Sequence, residues 1–178
     1  MRVISGSLGG RSFDSPHSKL THPMSDKVRG ALFNALGDIN GLTILDVYAG
    51  SGALSLEAIS RGANSAIAID NDLSAYKTTV GNIKALALEA KITPLRATIK
   101  SWSNRHPNNL FDIVLCDPPY DDIRRDHLQK LARHTKPGGV VVFSLPSGAN
   151  AELDESEFKP VSSKSYGDAN LVFYKRTG

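Results

Sequence analysis

From Gly41 onward, short apolar runs rich in β-branched residues alternate with longer stretches whose apolar positions recur every three or four residues. The runs are 43–48 (TILDVY), 65–70 (SAIAID), 92–97 (ITPLRA), 111–117 (FDIVLCD) and 140–145 (VVVFSL). The stretches at 53–61, 73–89 and 123–134 carry the helical period, for instance Leu54, Ala58 and Ile59 in the first and Leu128, Leu131 and Ala132 in the last. Gly62 and Pro137-Gly138-Gly139 follow two of them as stop signals. Strands that alternate with helices in this way predict a parallel sheet covered by crossover helices. The last pattern differs, because 160–166 and 169–175 meet at Gly167-Asp168 as a hairpin. The fold expected is therefore α/β: a Rossmann-like mixed sheet with helices on both faces and a C-terminal antiparallel hairpin.

Ahead of the sheet, Val3-Ile4-Ser5 and Arg11-Ser12-Phe13 flank Gly6, Gly9 and Gly10, which suggests a small hairpin or loose arm. Ser25 is a plausible N-cap for a helix with Val28, Ala31, Leu32, Ala35 and Leu36 along one face. Residues 1–40 are read as an arm and helix appended to a domain at 41–178. Composition adds exclusions. The 178 residues suit one globular domain, and 40% hydrophobic with 22% charged residues is an ordinary balance for a soluble chain. With no apolar run near the ~20 residues of a membrane span and no signal-peptide core, a cytoplasmic monomer is expected. One cysteine, Cys116, and five scattered histidines give no metal-ligand spacing, so no metal is expected. A net charge of +3 permits a nucleic-acid partner without requiring one.

The loop after the first strand, Asp46-Val47-Tyr48-Ala49-Gly50-Ser51-Gly52, lies where a doubly wound sheet binds a nucleotide-like ligand. A dinucleotide fingerprint would place glycine where this chain has Ser55, and Asp46 would repel a pyrophosphate. Both features favour a ligand with a cationic amino-acid end, S-adenosylmethionine, over a nicotinamide dinucleotide. Asp70, with Asn71 beside it, ends the second strand where a carboxylate can accept both ribose hydroxyls of an adenosine. Asp117-Pro118-Pro119-Tyr120 ends the fourth strand at the same edge. Asp117 and the Pro118 carbonyl can accept the two hydrogens of an exocyclic amino group, the prolines offer no competing N–H, and Tyr120 gives a face on which a base can stack.

These residues resemble the amino-methyltransferases of the seven-stranded S-adenosylmethionine-dependent class. The opening MRVISGSLGGR, then 21–29 leading into Ala31-Leu32-Phe33-Asn34, and AGSGALSLEAISRGA at 49–63 look like the bacterial family that methylates N2 of a guanine in small-subunit (16S) ribosomal RNA. The resemblance implies a seven-stranded sheet and Asp117, Pro118, Pro119 and Tyr120 as the catalytic group. It also implies Asp46, Tyr48, Ala49, Gly50, Ser51, Gly52, Asp70 and Asn71 around S-adenosylmethionine, with S-adenosylhomocysteine as product. Ribosomal RNA, alone or in a wholly or partly assembled small subunit, is the expected partner. Its candidate contacts are Arg2, Arg11, Lys19, Lys27 and Arg29 on the arm, with Arg124 and Arg125 beyond Tyr120. The chain departs from the family at His22-Pro23-Met24, where Arg-Pro-Thr is usual. It departs again at Arg96 or Ala97, where an Asp or Asn commonly meets adenine, leaving backbone groups or packing near Trp102 for that task. DNA adenine-N6 methylation and a catalytically silent RNA-binding subunit are the alternatives. The first is disfavoured because 178 residues leave no room for a target-recognition insertion.

Overall fold

A computed structural model describes residues 1–16, 23–121 and 123–178. Seven strands form one sheet in the order β3-β2-β1-β4-β5-β7-β6. They are β1 (Thr43–Val47), β2 (Ser65–Asp70), β3 (Ile92–Arg96), β4 (Phe111–Cys116), β5 (Thr135–Pro146), β6 (Phe158–Tyr166) and β7 (Ala169–Arg176). The first five are parallel, and β7 runs antiparallel between β5 and β6. The helices are α1 (Asp26–Leu36), α2 (Ala53–Ser60), α3 (Leu73–Ala85), α4 (Ile99–Arg105) and α5 (Arg125–Ala132). Among the described residues no helix is long and apolar enough to cross a membrane.

The strands at the centre are apolar on both faces because both faces are covered. Ile113 and Leu115 of β4 point into a core shared with α1, α2 and α3, while Val114 and Cys116 point into one shared with α4 and α5. Alternation along one strand thus feeds two cores. Ser25 caps α1 by accepting the Val28 N–H at 3.2 Å. Three boundaries differ from the sequence pattern. The α4 helix, capped by Thr98, falls in a polar stretch with no apolar period. The α5 helix is shorter than 123–134. β5 begins at Thr135, before the Pro137-Gly138-Gly139 stop signal, because Thr135 pairs with Phe111 ahead of a register shift.

The N-terminal residues share the main core. Val3, Phe13, Leu32 and Phe33 pack with α2 and α3 residues. Residues 2 and 12 form an antiparallel bridge, and this loop covers α2, all of whose residues are buried. Two polar residues of α2 serve that contact: Glu57 accepts the N–H of Ile4 at 2.8 Å and of Ser5 at 3.1 Å. The Ser60 hydroxyl accepts the Leu8 N–H at 2.9 Å and donates to the Ser5 carbonyl at 2.6 Å.

Candidate active site at the carboxyl edge of the sheet

The register aligns the functional residues before any side chain is considered. Val47 of β1 stands between Ile69 of β2 and Cys116 of β4, so Tyr48, Asp70 and Asp117 are the next row across three neighbouring strands. Asp70 and Asp117 are therefore about 10 Å apart, two strand spacings, with the glycine loop between them.

Asp46 sits two rows deeper and is 1% exposed. Its Oδ2 accepts the Ser55 hydroxyl at 2.7 Å and the Ser55 N–H at 3.1 Å, whereas Oδ1 is buried without a partner. Burial pushes this carboxyl up to about 7, the two bonds from Ser55 oppose the rise, and the charges of Asp117 and Asp70 add to it. Ser55, a departure from the dinucleotide fingerprint, is thus the residue that fixes Asp46.

The loop itself is a tight turn, with the Gly52 N–H donating to the Ala49 carbonyl at 2.8 Å. Gly50 (φ +59°) has open space where a Cβ would stand, so a ligand can lie against its backbone. Gly52 (φ +79°) has another purpose, since a Cβ there would come within 3.0 Å of Thr79 on α3. Thr79 also donates its hydroxyl to the Gly50 carbonyl at 2.9 Å. Asp70 accepts the N–H groups of Gly50 and Asp72, both at 2.9 Å, one on each oxygen. Each oxygen keeps a second lone pair, so Asp70 can brace the loop and still accept hydroxyls. Asn71 beside it is exposed. Tyr48 has φ +61°, uncommon for a side chain of its size. That turn sends its ring to the other face of the sheet, into a cleft lined by Ile99, Lys100, Ser103, His127, Lys130 and Leu131.

Asp117 is partly buried, Pro118 is buried, Pro119 is exposed, and Tyr120 is 44% exposed. Burial raises the Asp117 carboxyl to about 6 against the pull of the Ser144 hydroxyl. The same hydroxyl opposes the rise that burial and the Asp117 and Asp168 charges impose on the Tyr120 phenol. Ser144 is buried on β5, one step beyond the Cys116/Phe143 pair and hence beside Asp117. Sequence reasoning missed it, although a serine inside VVVFSL was a visible exception to an apolar run. Trp102 is buried, with His106 stacked at 5.3 Å and His134 tilted against it at 4.8 Å.

One expected RNA contact is corrected. Arg29 is fully buried, donates to the Arg2 carbonyl at 2.6 Å and to Asp26 at 2.8 Å, and lies 3.8 Å from Glu57. It falls on the same helical face as Leu32 and Phe33, so it is a structural cation with no access to phosphate. Arg2 is exposed and pairs with Asp26, while Arg11 and Lys27 are exposed. Arg124 and Arg125 are exposed too, in contact with His127 and Glu152 respectively. Lys19 and His22 lie outside the described residues.

Residues 1–175 match the family described as conserved hypothetical protein 95. The chain belongs to that family. Over the full length of both chains it is 31% identical to YlbH of Bacillus subtilis (strain 168). It is 37% identical over 122 residues to "Ribosomal RNA small subunit methyltransferase D" of Escherichia coli (strain K12), an alignment covering 67% of this chain and 60% of that protein. In fold, "Putative methyltransferase yhhF" of Escherichia coli superimposes with a TM-score of 0.85 at 24% identity, covering 100% of this chain and 98% of the other.

Proposed function

We propose that this chain transfers a methyl group from S-adenosylmethionine to the exocyclic N2 amino group of a guanine in 16S ribosomal RNA. The observation that carries the reading is the unpartnered buried Oδ1 of Asp46 beneath an open glycine loop, one strand away from the Asp117-Pro118-Pro119-Tyr120 corner. An acceptor buried without a donor fits a ligand that brings a cationic N–H, as the amino-acid end of S-adenosylmethionine does. When bound, that cofactor supplies an electrophilic methyl on a sulfonium. Asp46 would take its ammonium, Gly50 would allow close approach, and the free lone pairs of Asp70 would accept the ribose hydroxyls.

The remaining work belongs to the fourth-strand corner. Asp117 and the Pro118 carbonyl would each accept one N2 hydrogen, turning the nitrogen lone pair out of conjugation with the ring. Tyr120 would stack on the base, which must be unpaired or flipped out to reach this edge. As the N–C bond forms, the nitrogen becomes acidic and one N2 proton passes to Asp117 or to solvent. Positioning rather than strong basicity lowers the barrier. Exposed Arg2, Arg11, Lys27, Arg124 and Arg125 would face the RNA. The relatedness to the Escherichia coli enzyme named for the small ribosomal subunit supports this substrate class over DNA.

The test is incubation with tritiated S-adenosylmethionine and, in parallel, 16S RNA, small subunits lacking the modification, and unmethylated DNA. Label is expected as N2-methylguanosine from RNA or subunits; N6-methyladenine in DNA overturns the reading. Asp117→Ala should abolish transfer with cofactor affinity nearly intact, whereas Asp70→Ala should weaken cofactor binding first. Equal loss of binding in both would refute this division of roles.

A further inference from the structure

The cofactor loop is held from behind by α3, and the side chain that holds it is shared with the N-terminal segment. Asn82 is 2% exposed. Its Nδ2 donates to the Ser51 carbonyl in the loop at 3.0 Å and to the Asp14 carbonyl at 2.9 Å, and its Oδ1 accepts the Asp14 N–H at 2.8 Å. Two of the three partners are carbonyls and the third is an N–H, so only this orientation of the amide satisfies all of them. Both amide hydrogens are spent. The side chain therefore copies the pairing of a strand toward Asp14 while its remaining hydrogen fixes the loop.

Two further contacts tie the same segment to the elements that form the loop. The Met1 sulfur lies 3.7 Å from the Ser51 hydroxyl. Glu57 and Ser60, on the helix that starts at the loop, hold the backbone of Ile4, Ser5 and Leu8. Thr79, one turn before Asn82, reaches the loop through Gly50 and, among the described residues, makes no hydrogen bond to the N-terminal segment. The two α3 residues thus separate bracing the loop from coupling it to the arm.

We propose that Asn82 is a positioning residue that makes the N-terminal segment part of the cofactor site: docking of residues 1–14 sets the Gly50–Gly52 turn, and a ligand in that turn tightens the docking in return. Reciprocity is required of any such linkage. The proposal rests on the reading of the loop as the S-adenosylmethionine site, and the experiment separates the two.

Amide hydrogen exchange of the ligand-free protein is compared for wild type, Asn82→Asp and Thr79→Val, each first shown to be folded by its circular dichroism and cooperative melting. Asn82→Asp keeps the size of the side chain but removes both donors. It should speed exchange at Asp14 and at the Gly50 and Gly52 amides together, whereas Thr79→Val should speed only the loop amides. S-adenosylhomocysteine titrated calorimetrically should bind Asn82→Asp about tenfold more weakly, the loss expected of one buried hydrogen bond. In wild type, bound S-adenosylhomocysteine should slow exchange at Asp14 as well as in the loop. Faster exchange confined to Asp14 in Asn82→Asp, with affinity within twofold of wild type, overturns the coupling. So does ligand protection that stops at the loop. A wild-type protein that binds no S-adenosylhomocysteine refutes the cofactor reading instead, and the ligand-free exchange pattern still decides whether Asn82 couples the two segments.

Discussion

Two groups of buried charges lie on either side of the glycine loop, and they are built on opposite rules. On the arm side, Glu57 is fully buried yet receives Arg61 at 2.7 Å, Arg29 at 3.8 Å and two backbone N–H groups. On the β4 side, Asp46 and Asp117 stand at the ends of adjacent strands with hydroxyls for company and no cation among the groups that shift them. The first cluster is electrically closed. The second holds negative charge in a poorly solvated place, and its carboxyls respond by taking up protons near neutrality. A charge that serves the fold arrives with its partner in the chain; a charge that serves a ligand leaves the partner's place open.

Breaking the closed cluster should cost most. Arg29→Ala leaves Glu57 with one cation fewer and should destabilise the protein by about 3–5 kcal/mol, read from the denaturant midpoint at constant m-value. A loss below about 1 kcal/mol would mean that Arg29 does not belong to the structural group.

Arg29 also shows what was legible in the sequence. The parallel sheet, the final hairpin and the acids at the strand ends all follow from periodicity and position. What stayed hidden was burial that depends on a distant segment. Glu57 and Ser60 read as the polar face of α2 until the N-terminal loop is laid over them, and Arg29 reads as a surface cation until Glu57 is placed beneath it. The spacing to Leu32 and Phe33 held the clue for Arg29. Asn82 and Thr79 carried a weaker one, as polar residues on the inward face of α3 near Ala75 and Ile83.

The open cluster should reveal itself through pH. Asp46 and Asp117 titrate near 7 and 6 in the folded protein against an ordinary value of 3.8, so the folded state binds more protons between those limits. Their contribution is complete below about pH 4 and is lost as pH rises through 6 to 7. Ligand-free protein should therefore lose on the order of 2–4 kcal/mol of stability between pH 5 and 8. Asp46→Asn and Asp117→Asn should each flatten that slope. The same linkage makes a cationic ligand bind more tightly as pH rises through 7, and an Asp46→Asn slope equal to wild type would remove the distinction between the two clusters.

Exposed cations give a smaller effect. Arg124→Ala and Arg125→Ala should leave stability within about 0.5 kcal/mol. Each should lower the salt dependence of 16S RNA binding by roughly 0.7–0.9 in log-log slope, one phosphate contact apiece. Arg11→Ala and Lys27→Ala are the matching test of the arm. An unchanged slope in all four would place the RNA elsewhere on the surface.

The finest distinction concerns Ser144, whose hydroxyl is what the open cluster has in place of a cation. It favours the ionised form of Asp117, the form able to accept an N2 hydrogen, and so should hold down the acid limb of the transfer rate. Ser144→Ala removes that donor from a buried position, and a lost hydrogen bond of about 1 kcal/mol moves a carboxyl by roughly half to one pH unit. The acid limb should shift to higher pH by that amount, while the rate well above it changes little and Ser144→Thr restores the wild-type profile. A rate lowered equally at every pH would show instead that Ser144 acts through packing of β5 against β4, and that Asp117 keeps its charge without help from its neighbour.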